Sequence, residues 1–451
     1  MKKILLINPA YKTSLHSNIK TLALPPLNLA IISAYTPDRY EIEIVDESVE
    51  DLDFDTAADL VGITCMTPLA PRAYEISQRF RDRGIPVVMG GVHVSAMSDE
   101  AQRYSDAVVV GEGEVIWPQV LEDFEAGQLK KIYRVCGRPD IEHQLAPRRD
   151  HFKGDYFVET VQTSRGCPFN CSFCSVTAFN GAKIRMRNTD DVVREIAELE
   201  GKRIFIVDDN IIGAGPRCIR RSFELFDRLK GCGKEWAGQT CLNIVEHDGL
   251  LKSASDAGAK AFLIGFESLD EATIKSMNKS VNLRPNTKNF KDAISKIHDN
   301  GIAVIDCFIF GADTHDKDVF EKTVEFVLNA QIDAVQFSVN TPLPGTKLFK
   351  RIEEENRLLY SDYPNDWKHY TILEPVFQPK HMEPEELYEG LTASYKEVSS
   401  FRSSIVRGAK TFMNTKSLFS TGISFSWNYD AYKTLSRTET PFSRKPNKKV
   451  A

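Results

Sequence analysis

The feature of this sequence that most constrains its fold is an alternation of short apolar runs with longer stretches of helical period. Glycine or proline stands at nearly every junction. Strands are expected at 3–8, 41–46, 61–65, 87–89 and 107–110, and helices at 27–35, 74–83 and 116–124. Strands separated by helix-length crossovers pair in parallel, and their sheet is covered by helices on both faces. A doubly wound sheet of this kind takes its ligands at the carboxyl ends of its strands. Those ends read Asn8-Pro9, Asp46-Glu47, Thr64-Cys65-Met66-Thr67, Gly90-Gly91-Val92-His93 and Gly111-Glu112-Gly113-Glu114.

A second alternating series follows. Its strands are expected at 157–163, 203–208, 237–242, 260–266, 303–310 and 334–340, and its helices at 190–200, 217–230, 248–257, 289–300, 318–329 and 347–357. Six strand–helix units are fewer than the eight of a closed barrel, so an open, partial barrel is expected, again with its site at the carboxyl ends. A polar stretch from about 131 to 155 without a clear period reads as a linker. Beyond about 360, Pro384-Glu385-Glu386 opens a helix expected to run to about Phe401. The tail then turns rich in Ser, Thr, Lys and aromatics, and its last residues, through Arg444-Lys445-Pro446-Asn447-Lys448-Lys449, are expected to be mobile. The chain thus reads as α/β, with a doubly wound parallel domain over 1–135, a linker over 136–156, a partial (β/α)6 barrel over 157–358 and a mainly helical C-terminal extension over 359–451.

Composition narrows the function. Across 451 residues, 42% hydrophobic and 27% charged, the formal net charge of −6 argues against a general nucleic-acid or membrane-surface binder. The first apolar run stops at Asn8-Pro9, too short for a signal segment, and no run is long enough to span a bilayer, so a cytoplasmic protein is expected. Thiols stay reduced there, and a tight cysteine group then points to a metal site more than to a disulfide framework.

Three of the nine cysteines form such a group, in Ser164-Arg165-Gly166-Cys167-Pro168-Phe169-Asn170-Cys171-Ser172-Phe173-Cys174, with C-x3-C-x2-C spacing after the first barrel strand. Structural zinc takes four ligands, usually as two separated pairs, and no second pair lies nearby. A cubane of four irons is commonly held by four thiolates, so three thiolates leave one iron open to a ligand. Gly166, Pro168 and Asn170 suit a tight loop around a cluster. Cys136, Cys218 and Cys232 are too scattered for a second cluster, and Cys241 and Cys307 on barrel strands read as small apolar residues.

This loop, in this barrel context, resembles the radical S-adenosylmethionine (SAM) superfamily over about 157–350. The resemblance implies a [4Fe–4S] cluster on Cys167, Cys171 and Cys174, with SAM on the open iron. It also implies cleavage of SAM to methionine and a 5′-deoxyadenosyl radical that takes a hydrogen atom from an unactivated carbon. It assigns SAM contacts as well. Asp208 or Asp209, ending the second barrel strand, would meet the methionine ammonium, and Asn243 the carboxylate. Glu267, in Gly265-Phe266-Glu267-Ser268, would meet the ribose; the other reading of Glu267 is a cap on the next helix. The main chains of Phe173 and Gly311 would lie near adenine.

The first domain resembles the cobalamin-binding domain fused to such barrels. The carriers are Pro25-Pro26-Leu27-Asn28-Leu29-Ala30, Gly90-Gly91-Val92-His93-Val94-Ser95 and Val110-Gly111-Glu112-Gly113-Glu114. The resemblance implies cobalamin near Thr64, Gly90, Gly91, Gly111 and Glu112. The D-x-H-x-x-G motif, whose His ligates cobalt from below, is replaced by Asn8-Pro9-Ala10-Tyr11-Lys12-Thr13-Ser14, so a lower face without protein His is expected. His93, a possible substitute ligand, reads as structural, and Cys65 and Met66 read as loop packing.

Such fused proteins most often methylate unactivated carbons. The extension after the barrel is similar to members that act on lipids or tetrapyrroles, the hopanoid and bacteriochlorophyll methylases. The implied partners are a small-molecule substrate of lipid or tetrapyrrole kind and a reducing donor such as flavodoxin or ferredoxin. Two alternatives stand: a radical cyclase, oxidase or carbon–carbon coupling enzyme, and a sensor of SAM or cobalamin that catalyses nothing. The intact cysteine loop argues against the sensor, and the absence of a further cysteine-bearing cluster domain argues against a methylthiotransferase.

Overall fold

The computed structural model describes residues 1–11 and 23–435. Positions 12–14 of the motif comparison and the basic end of the tail lie outside the described residues.

The first sheet contains β1 (Lys2–Asn8), β2 (Tyr40–Asp46), β3 (Leu60–Thr64), β4 (Val87–Gly90), β5 (Ala107–Val110) and β6 (Ile132–Arg134). Its order is β2-β1-β3-β4-β5-β6, with every pair parallel. Ile4 to Ile7 of β1 are at most 1% exposed, because a central parallel strand is covered on both faces. The order reverses between β1 and β3, so the ligand crevice of this sheet opens beside Asn8 and Thr64. β6 falls where the polar composition led us to expect linker. At three residues on a sheet edge, with only Tyr133 buried, it is too short to show a period.

The second sheet contains β7 (Glu159–Val161), β10 (Arg203–Ile206), β11 (Glu235–Thr240), β12 (Ala259–Glu267), β13 (Ala303–Phe310) and β14 (Ala334–Val339). The hairpin β8 (Ser164–Arg165) with β9 (Arg185–Met186) brackets the cysteine loop. The sheet order is β14-β13-β12-β11-β10-β7, all parallel, and β7 and β14 do not pair, so the barrel is open as expected.

The concave face of this half-barrel explains the tail. Ala237, Ala261, Ala303 and Ala334 form a layer of small side chains with Ile305, and Ile423 and Trp427 of the helix Leu418–Leu435 pack into the space they leave. Two serines and an asparagine of that helix bond to backbone near the strand starts. The Ser420 hydroxyl donates to the Lys260 carbonyl at 2.8 Å, and the Ser424 hydroxyl and the Asn428 amide donate to the Asp333 carbonyl at 2.6 and 2.8 Å. The Arg407 guanidinium donates to the Ile332 carbonyl at 2.7 Å. Polar side chains are needed here because strand-start carbonyls shielded from water require donors. The expected single helix to Phe401 is instead Pro384–Val398, broken at Ser399-Ser400, followed by Phe401–Thr415 and Leu418–Leu435; Ser400 caps the second of these through Ser403 N.

The segment between barrel and helices turns back onto the first domain. Trp367 is fully buried there and stacks on Tyr363 with centroids 3.7 Å apart. Its indole N–H donates to both Glu100 carboxylate oxygens, at 3.0 and 3.1 Å. Tyr74 donates to the same carboxylate at 2.8 Å, and His93 Nε2 lies 3.4 Å from it. Burial pushes the Glu100 carboxyl upward, but these partners outweigh it and hold the group below the usual carboxylate range. The part after 359 is therefore two structures, a strap across the first domain and a helical floor beneath the barrel.

The alanine layer is testable. Ala303→Leu is expected to force the last helix off the concave face and to lower stability by about 1–3 kcal/mol, the usual cost of overpacking. Urea unfolding of the variant against the parent protein measures this.

Candidate functional site

The cysteine loop leaves the barrel at Gly166 and is pinned from every side. Asp208, two residues past β10, is fully buried and accepts from Thr163 N (2.5 Å), Thr163 Oγ1 (2.6 Å) and Ser164 Oγ (2.7 Å). Asp209 accepts from Gly166 N and Asn180 Nδ2, both at 2.8 Å. Gly166 has φ +92, and a Cβ there would stand 2.6 Å from the Lys183 carbonyl, so only glycine passes beneath the hairpin. Further along, Ser172 N donates to the Met277 carbonyl and Leu348 N to the Ser172 carbonyl, each at 2.9 Å. Cys167, Cys171 and Cys174 come out half-buried on this frame. Among the described residues no three His, Cys, Asp or Glu side chains converge as on a single ion. A cubane offers a separate iron to each thiolate, so its ligands need no common point.

Cys241, expected to be a bland strand residue, sits beside the loop. Its hydrogen bond with Cys167 is the main influence lowering the Cys167 pKa, against burial, with the Phe169 amide and the Lys279 charge assisting. Burial pushes Cys171 up to about 12 and also raises Cys174.

Glu267 occupies a bulge of β12 with φ +64, an unusual backbone for a non-glycine residue. It does not cap the next helix; Asp270 does, accepting from Thr273 N at 2.7 Å. Instead Glu267 Oε1 receives the Lys279 ammonium at 2.5 Å, both side chains being buried. A Cβ on Gly265 would lie 2.1 Å from Glu267 Oε1 and 2.7 Å from Lys279 Nζ, so the glycine makes room for the pair. Lys279 escaped the sequence reading because it lies twelve residues downstream, in a loop with no motif of its own.

Other expected contacts divide. Both Asp208 oxygens are spent on the Thr163–Ser164 clip, so Asp208 is corrected from a ligand contact to a brace. Asp209 braces the loop through Oδ2. Asn243 is buried and donates to the Gly213 carbonyl at 2.8 Å, leaving its own Oδ1 without a partner among the described residues. Asn340 Oδ1, just beyond β14, is buried and unpartnered as well. The Phe173 side chain packs against Met277, Ile309 and Ala312. Gly311, φ +84, owes its lack of a side chain to Leu387, whose Cδ2 lies 2.7 Å from the Cβ position; the glycine is explained by helix packing. Ser268 Oγ sits 3.2 Å from His315 Nε2.

At the first sheet, Gly90 leaves open space at the end of β4, its nearest neighbours being 3.9 Å from a Cβ position. Gly91, φ +101, lies so close to the Cys65 backbone that a Cβ would stand 2.8 Å from it. Gly111, φ +99, ends β5, and Met66 stands 58% exposed after β3. Thr64 accepts from Asn28 Nδ2 at 2.7 Å. His93 is buried between Thr67 and Glu100 and is structural, as the sequence suggested.

Glu112 is the second correction. Its carboxylate accepts from Arg185 Nη2 at 2.5 Å and from Arg165 Nη1 at 2.7 Å, and Arg165 also pairs with Glu114. Burial raises the Glu112 pKa, yet Arg185 and Arg165 outweigh it and hold the carboxyl below its usual range. Glu112 therefore joins the two sheets and is not free for a ligand of the first. Arg165 lies two residues before Cys167, where the cysteine motif drew attention away from it.

The comparisons agree with this architecture. The B12 binding domain model matches residues 21–121 and the Radical SAM superfamily model residues 161–327. Bacteriochlorophyllide d C-12(1)-methyltransferase of Chlorobaculum tepidum is 30% identical over 412 residues, 88% of this chain and 87% of that one. The hopanoid C-2 methylase of Rhodopseudomonas palustris is 26% identical over 352 residues, 75% of this chain and 66% of that one. The radical S-adenosylmethionine methyltransferase TsrM of Kitasatospora setae, solved with cobalamin and a [4Fe-4S] cluster bound, superposes with a TM-score of 0.70 over 97% of this chain and 99% of that one; at 14% identity this shows the shared fold.

His315 gives this region a pH signature. Burial holds its pKa down to about 4, with Asp270 and Asp316 opposing weakly. The unfolded chain takes up this proton below about pH 6.5, and the folded chain does not until about pH 4. Stability from this group is therefore full above pH 6.5 and is lost as pH falls, by about 2 kcal/mol at pH 5. Urea unfolding at pH 7 and pH 5 is expected to show that loss in the parent protein and a correspondingly smaller one in His315→Gln.

Proposed function

Because the chain belongs to the cobalamin-binding radical SAM enzymes, we propose that it is a C-methyltransferase acting at an unactivated carbon of an apolar, lipid- or tetrapyrrole-like small molecule in the cytoplasm. One observation carries the reading. The carboxyl-end loops of the two parallel sheets meet at Glu112, so the glycine-lined end of the first sheet and the cysteine loop of the second share one clamp. The nine cysteines are all free, as thiols are in a reducing compartment, and among the described residues no helix is long and apolar enough to cross a membrane.

The residues present suit the groups the family uses. Cys167, Cys171 and Cys174 would hold the cluster. Lys279 is a buried cation for a carboxylate, Glu267 retains Oε2 for a ribose hydroxyl, and the unpartnered Oδ1 atoms of Asn243 and Asn340 are buried acceptors waiting for donors. Gly90 leaves the β4 end bare for a long ligand, Gly91 lets it turn close against Cys65, and Met66 stands exposed after β3. When bound, the cluster and SAM supply a carbon-centred radical, and cobalamin supplies the methyl carrier. The protein's part is to fix these groups and keep water out. Asp208 and Asp209 hold the loop, the Glu267–Lys279 pair sets charge at the barrel mouth, and the alanine layer with its helix seals the base.

Anaerobic enzyme with cobalamin, a chemical reductant, deuteromethyl-SAM and a small-molecule extract is expected to place the labelled methyl on carbon. It should consume SAM to both its demethylated product and 5′-deoxyadenosine. Formation of 5′-deoxyadenosine with no methyl transfer would instead mean a cyclase or coupling enzyme, and no SAM consumption would mean a sensor. Replacing Cys167, Cys171 and Cys174 together with Ala is expected to abolish iron binding and all SAM cleavage.

The role of Glu267 separates by a double variant. Glu267→Gln strands the buried Lys279 charge and is expected to cost about 3–5 kcal/mol of stability. Adding Lys279→Met is expected to recover stability, while SAM affinity, measured calorimetrically, stays weaker by at least about 1.5–3 kcal/mol. Full SAM affinity in the double variant would remove both residues from the SAM site.

A further inference from the structure

The cysteine loop has a back as well as a front. Its front faces the first domain and the barrel mouth. Behind it lies a cavity of about 850 Å³, walled by residues 180–190, the start of the helix Pro216–Leu229 and the segment around Arg138. The cysteines do not line it, but the loop is bonded to its wall. Cys167 N donates to the Gly181 carbonyl at 3.3 Å, and Asn180 reaches round to Asp209. Arg138 Nη2 holds the Ala178 carbonyl, four residues after Cys174, at 2.9 Å.

The cavity is basic in a chain whose net charge is −6. Seven of its lining side chains are cationic and four are anionic. Arg185 and Arg187 are ion-paired to Glu112 and Glu195, and Asp190 to Arg228. Among the described residues Arg138, Lys183, Arg217, Arg220 and Arg221 have no carboxylate at ion-pair distance, and the first four are exposed. The guanidinium Nε atoms of Arg185, Arg187 and Arg221 are buried without an acceptor, and Arg187 is 3% exposed. The uncapped start of the helix Pro216–Leu229 adds its positive end to the same place.

We propose that this cavity is the docking face for an acidic one-electron carrier protein of the flavodoxin or ferredoxin class, delivering its electron through the back of the loop at Gly181–Cys167. The proposal rests on the radical SAM reading, which requires the cluster to be reduced. The carrier loses one electron, the cluster gains one, and no atom is transferred. Opposite charge steers such an encounter and makes it sensitive to salt.

Lys183, Arg217 and Arg220 are exposed and make no contact with the cysteine loop through their side chains, which makes them clean probes. In the full chain with its cluster reconstituted, Arg217→Glu with Arg220→Glu is expected to weaken binding of an acidic flavodoxin about tenfold, read by flavin fluorescence titration at low salt. The same variant should slow flavodoxin-driven SAM cleavage by a similar factor and flatten its salt dependence. Cleavage driven by titanium(III) citrate, and the electron paramagnetic resonance signal of the reduced cluster, should be unchanged. Unchanged flavodoxin binding overturns the proposal, as does an equal fall with both reductants. Stoichiometric binding of inorganic phosphate that is lost in the variant while flavodoxin binding persists also overturns it, and makes the cavity a small-anion site. If the parent protein cleaves no SAM with titanium(III), the radical SAM reading fails, and the fluorescence titration still decides the docking.

Discussion

The carboxylate of Glu112 is the constraint around which the molecule is arranged. A buried anion is tolerated only if cations meet it with good geometry, and Glu112 meets two, Arg165 and Arg185, one from each strand of the hairpin that brackets the cysteine loop. A loop at the end of one sheet is thereby fixed to the loop that begins the chemistry of the other. The same charge could not be left alone by sliding the domains apart, since that would strand three buried groups at once. Relative domain motion, the usual expectation for a fused pair, is restrained here by desolvation more than by the area of contact.

The fold was largely readable because parallel sheets write themselves plainly. Central strands covered on both faces appear as unbroken apolar runs, and Ile4 to Ile7 or Ala261 to Ile264 are hard to mistake. What escaped was short or at an edge: β6 and the two-residue strands of the hairpin, whereas the helix from Pro384, expected to end near Phe401, ends at Val398 before the serine pair. The extension was expected to be mainly helical, but nothing in its serine-rich composition showed that Ser420 and Ser424 donate to strand-start carbonyls. Composition cannot distinguish a polar residue facing water from one facing an orphaned backbone group.

The site was legible in part. Spacing singles out the three cysteines, which the structure sets on one braced loop, and its place after a glycine at a strand end singles out Glu267, which the structure buries against Lys279. Asp208 and Glu112 were misread for one reason: a carboxylate at the carboxyl end of a strand looks the same whether it awaits a ligand or is already bonded to the protein. Only the partners decide, and those are Thr163 and Ser164 in one case and two arginines in the other. Lys279 was missed for the converse reason. A lysine in a polar loop gives no sign that the bulge at Gly265 has drawn it into the interior.

The helix beneath the barrel has a consequence for synthesis. It lies after every strand that it floors, so as the chain emerges from the ribosome the six barrel strands are complete while their alanine face and their starting carbonyls are still bare. Domains generally form in order from the amino end, and the first sheet, together with Glu112, is available early to receive Arg165 and Arg185. The half-barrel is thus anchored at its mouth before it is closed at its base. The interval between those two events is when a chaperone has the most to shield, and a message truncated before Leu418 would leave that interval open for the life of the protein.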